Sequence, residues 1–447
     1  MKGDKTIWFI VLLLSVFSLL LVYSSTVELS ARTKDRMPFD FFAEQLLFVA
    51  AGLVIIHVTS RTPYTLFMSL APAGYAISIT LMVLMLFIGS SQNQAMRTLG
   101  FFQPAELCKL ALILYVAREV TVRQDRIKDF RKGFLPIMLS VLLMCLPIFL
   151  TNFSTAAILG VTCLTIMFIG RARLLHLLGV TAGLLVALAL ALCLTKVVAD
   201  AVSIKKENKE KVTGVLAVSN KIINKTRLET IYGRLEDKLA DSTAKSSSST
   251  AKSSSRKLVQ ADFAHMAIAS SGLVGKGPGN SEMRYYLPEA YSDFIFAIVV
   301  EEYGIVIAAC LILCYVILLF RVGAMVRKAT HFFPAIFAVG IITQISLQAL
   351  AHMAVATGLM PVTGQNLPLV SRGGTSIMVT FLMFGMLLSI SRSLEKEEAE
   401  QQRQQRSEAQ PGSDEEKKEM EKETKAPDGS EALAVEALTN LKPNPTA

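Results

Sequence analysis

The stretch YSDFIFAIVVEEYGIVIAACLILCYVILLF, Tyr291 to Phe320, places an aspartate directly in front of a long apolar run that has two glutamates inside it. At about 1.5 Å per residue, a helix over 294–320 is long enough to cross a hydrocarbon core of about 30 Å. Asp293 stands at its entrance, Glu301 and Glu302 lie within it, and carboxylates in lipid need a partner or a purpose. The run therefore predicts a membrane helix whose mouth faces something polar.

The rest of the chain repeats the pattern. Of its 447 residues 52% are apolar, and the mean hydropathy is +0.48, too high for an ordinary soluble protein. Apolar runs fall at 7–23, 41–58, 66–88, 134–150, 156–169, 174–198, 294–320, 332–356 and 376–391, with a shorter one at 106–116. Read as about ten transmembrane helices, they predict an all-α integral membrane protein with a large extracytoplasmic loop, 198–290, between helices 7 and 8. The first run follows Met1–Lys5 without a clear small-residue cleavage site, so it is read as a retained helix. The six cysteines lie in or beside apolar runs, where they act as small hydrophobes, and no disulfide framework or zinc spacing is present.

Orientation follows from the short loops, because Lys and Arg collect on the cytoplasmic side. With both termini inside, the inner short loops carry fourteen Lys/Arg and the outer ones five. Dropping the short run 106–116 would spoil that asymmetry.

Composition divides the chain into a membrane domain, 1–393, and a tail, 394–447. The loop 198–290 holds fifteen basic and ten acidic residues. Its KIINKTRLETIYGRLEDKLAD segment has near-helical apolar spacing and predicts an amphipathic surface helix. The Ser-rich insert 243–256 cannot build a core and reads as a flexible spacer. The tail is net −6 and is expected to be disordered and cytoplasmic. The remaining body, net +15, suits anionic membrane lipid or a pyrophosphate-bearing lipid rather than nucleic acid, and the positive-inside loops alone account for most of that charge.

Three clusters carry candidate chemistry. In SSGLVGKGPGNSEMRYYLPEAYSDF, Gly272, Gly275, Gly277 and Gly279 make a loop that either cradles an anion with its backbone N–H groups or simply lets the chain re-enter the membrane region. Lys276 and Arg284 flank it, and Glu289 and Asp293 follow. On a helix starting near Ser292, Asp293 is either a first-turn charge favoured by the helix dipole or a base facing a cavity. Glu301 lies close to its face, and Glu302 is left for a basic group elsewhere. In FFQPAELCKLALILYVAR, Phe101 to Arg118, Gln103 and Pro104 open a helix on which Glu106 and Lys109 share a face and can pair. In GLMPVTGQNLPLVSRGGTS, Gly358 to Ser376, the Pro, Gly and Ser/Thr content predicts a re-entrant or capping loop in which Ser371, Arg372 and Thr375 either donate to phosphate or only turn the chain. His57, His176, His265 and His331 show no ligand spacing.

These three segments resemble the motifs of the SEDS proteins (shape, elongation, division and sporulation), the FtsW/RodA/SpoVE group of peptidoglycan polymerases. FFQPAELCKLALILY is similar to the family's Gln-Pro-Ser-Glu-x-x-Lys segment, YYLPEAYSDFIFA to its Leu-Pro-Glu-x-x-Thr-Asp-Phe-Ile-Phe-Ala, and GLMPVTGQNLPLVSRGGTS to its Pro-x-Thr-Gly…Ser-Tyr-Gly-Gly-Ser-Ser loop. The likeness runs from the first helix to about Arg392, and GNSEMRYYLPEA resembles the division branch, FtsW, more than the elongation branch, RodA. Four features depart from the pattern: Asn152 stands for an aspartate, Arg372 for the loop tyrosine and His352 for an asparagine, and the Ser-rich insert is extra.

The resemblance implies a glycosyltransferase that polymerises lipid II into undecaprenyl-pyrophosphate-linked glycan in the bacterial cytoplasmic (inner) membrane. It implies work at the division septum beside a class B penicillin-binding transpeptidase and other divisome proteins. Asp293 is then the general base. Lys109, Lys276 and Arg284 neutralise pyrophosphate, Glu106 orients Lys109, and Gln103, Glu289, Ser371 and Thr375 complete the substrate site. No protein-only metal site is evident, and a divalent cation (Mg or Mn) on the pyrophosphate is compatible. Two rival readings are a lipid II flippase and a scaffold for division proteins. The crowding of charged and Gly-rich motifs toward one face favours the polymerase.

Overall fold

The computed structural model describes residues 3–32, 37–88, 90–92, 95–98, 103–183, 260–287, 289–360 and 362–409. The chain separates into two units, Met1–Arg392 and Ser393–Ala447. The first begins with α1 (Lys5–Ser25), a short α2 (Val27–Arg32), α3 (Pro38–Thr59) and α4 (Tyr64–Ile88). A ribbon of β1 (Ser90–Gln92) antiparallel to β2 (Ala95–Thr98) follows, the only strands among the described residues. Then come α5 (Pro104–Val122), a π-turn at Phe130–Phe134, α6 (Leu135–Thr151), α7 (Phe153–Ile169) and α8 (Leu174–Gly183). After α9 (Gln260–Ala269) the chain forms α10 (Ile295–Arg327), α11 (Phe332–Ala356) and α12 (Gly374–Ala409).

Seven of these helices are long and apolar enough to cross a membrane, which makes this a multi-pass, essentially all-helical membrane fold. The other three expected spans fall short for separate reasons. The α5 helix carries Glu106, Lys109, Arg118 and Glu119, α7 is only 17 residues long, and the expected continuation of α8 to 198 lies outside the described residues. The predicted amphipathic helix, the Ser-rich insert and most of the loop 198–290 also lie outside them.

Local chemistry sets the ends. The Asp4 carboxylate caps α1 by accepting from Thr6 N–H at 2.8 Å and Ile7 N–H at 3.4 Å. Pro38 and Pro104 open α3 and α5, where a missing N–H costs nothing. Asn152 ends α6 and caps α7, its side chain accepting from Thr155 N–H at 3.4 Å.

Both faces of a membrane helix are apolar, so packing rather than polarity chooses the inner one. On α1, Phe9, Val16 and Leu20 are exposed while Ile7, Val11, Leu14, Leu21 and Val22 are buried. The central helix is α11, which packs on α5, α7 and α10. A Cβ at Gly52 of α3 would lie 2.0 Å from the Phe381 ring of α12, so that crossing requires glycine.

In the second unit, residues from Ser393 to Ala409 are helical, past the point where the tail is expected to lose order. Its EKEEAEQQRQQRSEA sequence consists of good helix formers, which explains the extension. Residues beyond 409 lie outside the described set.

Candidate active site

The Asp293 turn is held from two directions. Glu289 adopts φ 58, a left-handed conformation uncommon for a residue with a side chain. Its carbonyl accepts from Ser292 N–H at 3.0 Å and Asp293 N–H at 3.1 Å. The Ser292 hydroxyl lies 3.3 Å from a Glu289 carboxylate oxygen and 3.5 Å from one of Asp293, so both carboxylates face the same hydroxyl. From the other side, Ser371 donates its hydroxyl to the Ser292 carbonyl at 2.8 Å, and Arg372 N–H donates to the Tyr291 carbonyl at 3.0 Å.

Those contacts correct the expected helix start. The backbone at 289–294 remains a turn, Phe294 is the N-cap, and α10 begins at Ile295, so Asp293 precedes the first helical turn. Phe296 N–H, in that first turn, donates to His352 Nε2 at 3.4 Å, and His352 Nδ1 lies 2.7 Å from the Gln365 carbonyl. The acceptor role of Nε2 places the imidazole proton on Nδ1. The Gln365 amide in turn donates to Thr155 at 2.7 Å.

The second cluster reaches the same loop. Lys109, 1% exposed, lies 2.7 Å from Glu106 and donates to Gln348 Oε1 at 3.0 Å. The Gln348 amide donates to the Asn366 carbonyl at 2.9 Å. Gln103 N–H donates to Thr375 Oγ1 at 3.4 Å. The loop from 362 to 373 thus touches the Asp293 turn, the Lys109 pair through Gln348, and the start of α12. Ser371, read from sequence as a phosphate donor or a turn residue, spends its hydroxyl on backbone. It accepts from Leu367 N–H at 2.8 Å as well as donating to Ser292. Arg372 pairs with Glu44 at 2.9 Å and lies over the Phe41 and Tyr291 rings.

Lys276 and Arg284 belong to a different arrangement. Glu301 and Glu302 are both fully buried. The Glu301 carboxylate accepts from Lys276 Nζ at 2.9 Å, from Glu282 N–H at 3.1 Å and from the Ser281 hydroxyl. Glu302 accepts from the Ser24 hydroxyl of α1 and lies 4.0 Å from Arg284, which also donates to the Ser24 carbonyl at 3.1 Å. The anion beside Lys276 is the chain's own Glu301 carboxylate, held by the Lys276 side chain, the Ser281 hydroxyl and Glu282 N–H. Its hydrogen bond to Glu301 raises the Lys276 ammonium above its ordinary 10.5.

The backbone explains the glycines. Gly304 breaks α10 at φ 79, freeing peptide groups that the loop then satisfies. Lys276 N–H donates to the Glu301 carbonyl and Gly277 N–H to the Glu302 carbonyl, both at 2.9 Å. A Cβ at Gly275 would meet the Glu302 carbonyl at 2.4 Å.

The sequence reading gave no site role to Gln348, His352 or Asn366. A signal was present for two of them: Gln344, Gln348 and His352 recur every fourth residue of an apolar helix, forming one buried polar stripe. Among the described residues no three His, Cys, Asp or Glu side chains gather to hold a metal. Glu289 and Asp293 across Ser292 supply two carboxylates, a partial donor set for a divalent cation.

A family profile described as "Cell cycle protein", FTSW_RODA_SPOVE, matches residues 4–222 and 239–396. Stage V sporulation protein E of Bacillus subtilis (strain 168) is 29% identical over 401 residues, covering 87% of this chain and 97% of the relative. The probable peptidoglycan glycosyltransferase FtsW of Trichlorobacter lovleyi is 29% identical over 400 residues, covering 88% and 93%. Among solved structures, a chain from "Structural coordination of polymerization and crosslinking by a peptidoglycan synthase complex" aligns with TM-score 0.63 at 23% identity, covering 88% of this chain and 99% of that one. Rod shape determining protein RodA of Thermus thermophilus aligns with TM-score 0.58 at 22% identity, covering 88% and 98%. Those two likenesses concern the fold. The family match spans nearly the whole membrane unit, including the Asp293 turn, the Glu106–Lys109 pair and the loop that joins them, and the chain belongs to the FtsW/RodA/SpoVE family.

Proposed function

We propose that this protein is a peptidoglycan glycosyltransferase that polymerises lipid II, with Asp293 as general base. The observation that carries the reading is the convergence of the Asp293 turn and the buried Glu106–Lys109 pair on one loop, 362–373. The acceptor sugar 4-hydroxyl loses its proton to Asp293 as its oxygen bonds the anomeric carbon of the growing strand. The bond from that carbon to the undecaprenyl pyrophosphate breaks, and the pyrophosphate leaves with the electron pair. Lys109, held by Glu106 and Gln348, supplies positive charge toward that leaving group. A divalent cation, when bound, would add charge there, and Glu289 and Asp293 are the carboxylates that would hold it.

Lys276 and Arg284 are assigned to Glu301 and Glu302, with pyrophosphate contact left to Lys109. The relatives named FtsW support a role in division, and the likeness to a synthase that couples polymerisation to crosslinking supports a class B penicillin-binding transpeptidase as partner. The Lys/Arg asymmetry of the short loops supports cytoplasmic termini in the bacterial inner membrane, with the septum as the place of work. Purified protein incubated with labelled lipid II, with and without a transpeptidase, tests the reading: glycan strands are expected, and translocation of lipid II without polymer contradicts it.

A further inference from the structure

Two polar contacts tie α1 to α10 about one hydrocarbon thickness apart. At one end Asp4 pairs with Arg321, and at the other the Ser24 hydroxyl meets Glu302. The pairs are twenty residues apart along α1, about 30 Å of helix, and nineteen along α10, where the seventeen beyond the break at Gly304 make about 26 Å, against a hydrocarbon core of about 30 Å. The surface of α10 agrees. Ile295 to Glu302 are buried in protein, exposure begins at Ile305 (52%) and Val306 (56%), and the apolar row ends at Phe320 (72%), next to Arg321.

The glycine-rich loop lies at the Ser24 boundary, against the first lipid-facing residues of α10. Ile305 N–H donates to the Gly272 carbonyl at 3.4 Å and Val306 N–H to the Leu273 carbonyl at 3.5 Å. A Cβ on Gly304 would meet the Leu273 carbonyl at 2.3 Å, so loop and helix are in backbone contact. Together with the Lys276 and Gly277 N–H bonds to α10, these contacts give four peptide groups of the segment partners within the protein, the kind of pairing that non-helical backbone needs at membrane depth. Leu273 and Val274 nevertheless point away from the protein, 70% and 83% exposed.

We propose that Gly272–Gly277 is a re-entrant segment that seats Leu273 and Val274 among the acyl chains of the leaflet on the Ser24 side. Acyl chains are the occupant because the pair continues the lipid-facing row that starts at Ile305 and Val306. Tyr285 and Tyr286, about half exposed a few residues on, supply the amphipathic rings expected at headgroup level. The segment pins the break at Gly304 to the bilayer surface and keeps the Lys276–Glu301 pair just above the hydrocarbon.

The chain has a single tryptophan, Trp8, so an added one can be read against the parent. Val274→Trp and, separately, Leu273→Trp are introduced into the full-length chain, which is reconstituted into phosphatidylcholine vesicles brominated either near the glycerol end or near the methyl end of the acyl chains. The added tryptophan is expected to emit at a blue-shifted wavelength and to lose most of its emission in vesicles brominated near the glycerol end, with less loss in the other set. Emission at a water-like wavelength and insensitive to both lipids would place the pair in solvent. Blue-shifted emission insensitive to both would mean that protein covers it, either residues 184–259 or a partner helix. Either result overturns the proposal, and because both positions are exposed, the larger side chain meets no packed neighbour at either.

Discussion

The hydroxyl of Ser371 is hydrogen-bonded to the carbonyl of Ser292 at 2.8 Å, tying the loop before α12 to the residue next to Asp293. Because Ser371 also accepts from Leu367 N–H, its removal orphans a buried donor and a buried acceptor. Ser371→Ala is expected to cost about 1–3 kcal/mol of stability for each group left unpaired. It should also lower the polymerisation rate as the Asp293 turn loosens, by up to about 10²-fold for a misplacement near 1 Å. Ser371→Thr, which keeps the hydroxyl, should retain more activity than Ala in a lipid II polymerisation assay.

Lys109 and Glu106 are buried together, so neither is safe to remove alone. Lys109→Met leaves the Glu106 carboxylate without its cation, a loss of about 3–5 kcal/mol for a broken buried pair. The charge swap Glu106→Lys with Lys109→Glu restores a pair but moves the cation three positions along α5. Thermal stability is therefore expected to recover in the swap while polymerisation stays lost. Recovery of both would make the pair purely structural.

His352 caps the first turn behind Asp293. His352→Leu removes the acceptor of Phe296 N–H and the partner of the Gln365 carbonyl, so both stability and kcat should fall, by about 1–3 kcal/mol per orphaned group in the case of stability. His352→Gln retains one donor and one acceptor at similar reach and is expected to rescue part of both. Steady-state kinetics of the two variants beside thermal denaturation check this, and equal loss in Leu and Gln would contradict the capping role.

The order of helices was legible because membrane spans announce themselves by length and apolar content, which require no knowledge of partners. The three site motifs were legible for a related reason: Glu106, Lys109 and Asp293 are expensive in lipid wherever they stand. Their company was harder to read. Nothing in a linear sequence shows that Glu301, twenty-five positions after Lys276, folds back onto it. The break at Gly304 was hidden because the apolar run resumes at Ile305 and a lone glycine does not by itself end a helix. The partner of Ser371 was hidden for a third reason, since it is a backbone carbonyl of the kind that every residue possesses.

The Lys276–Glu301 pair gives a pH expectation with a definite sign. A lysine raised above its ordinary 10.5 in the folded chain contributes stability that is fully present below that value and is lost as pH rises through the raised one. The contribution of the pair should therefore be constant through neutral pH and disappear only in strong alkali. Thermal denaturation of the parent and Lys276→Met at a series of pH values checks this: the difference between them should hold steady near neutrality and shrink only above 10.5.

The role of Asp293 is tested most directly by Asp293→Asn. The substitution keeps the size and much of the hydrogen-bonding capacity of the side chain while removing the proton acceptor, so folding, membrane insertion and lipid II binding should persist. The measurement is the rate of glycan polymerisation from labelled lipid II by the purified variant beside the parent. A fall of about 10²-fold or more, with lipid II affinity little changed, is the result expected for a lost general base. Polymerisation at the parental rate would contradict the assignment and leave Asp293 as a charge at the mouth of α10.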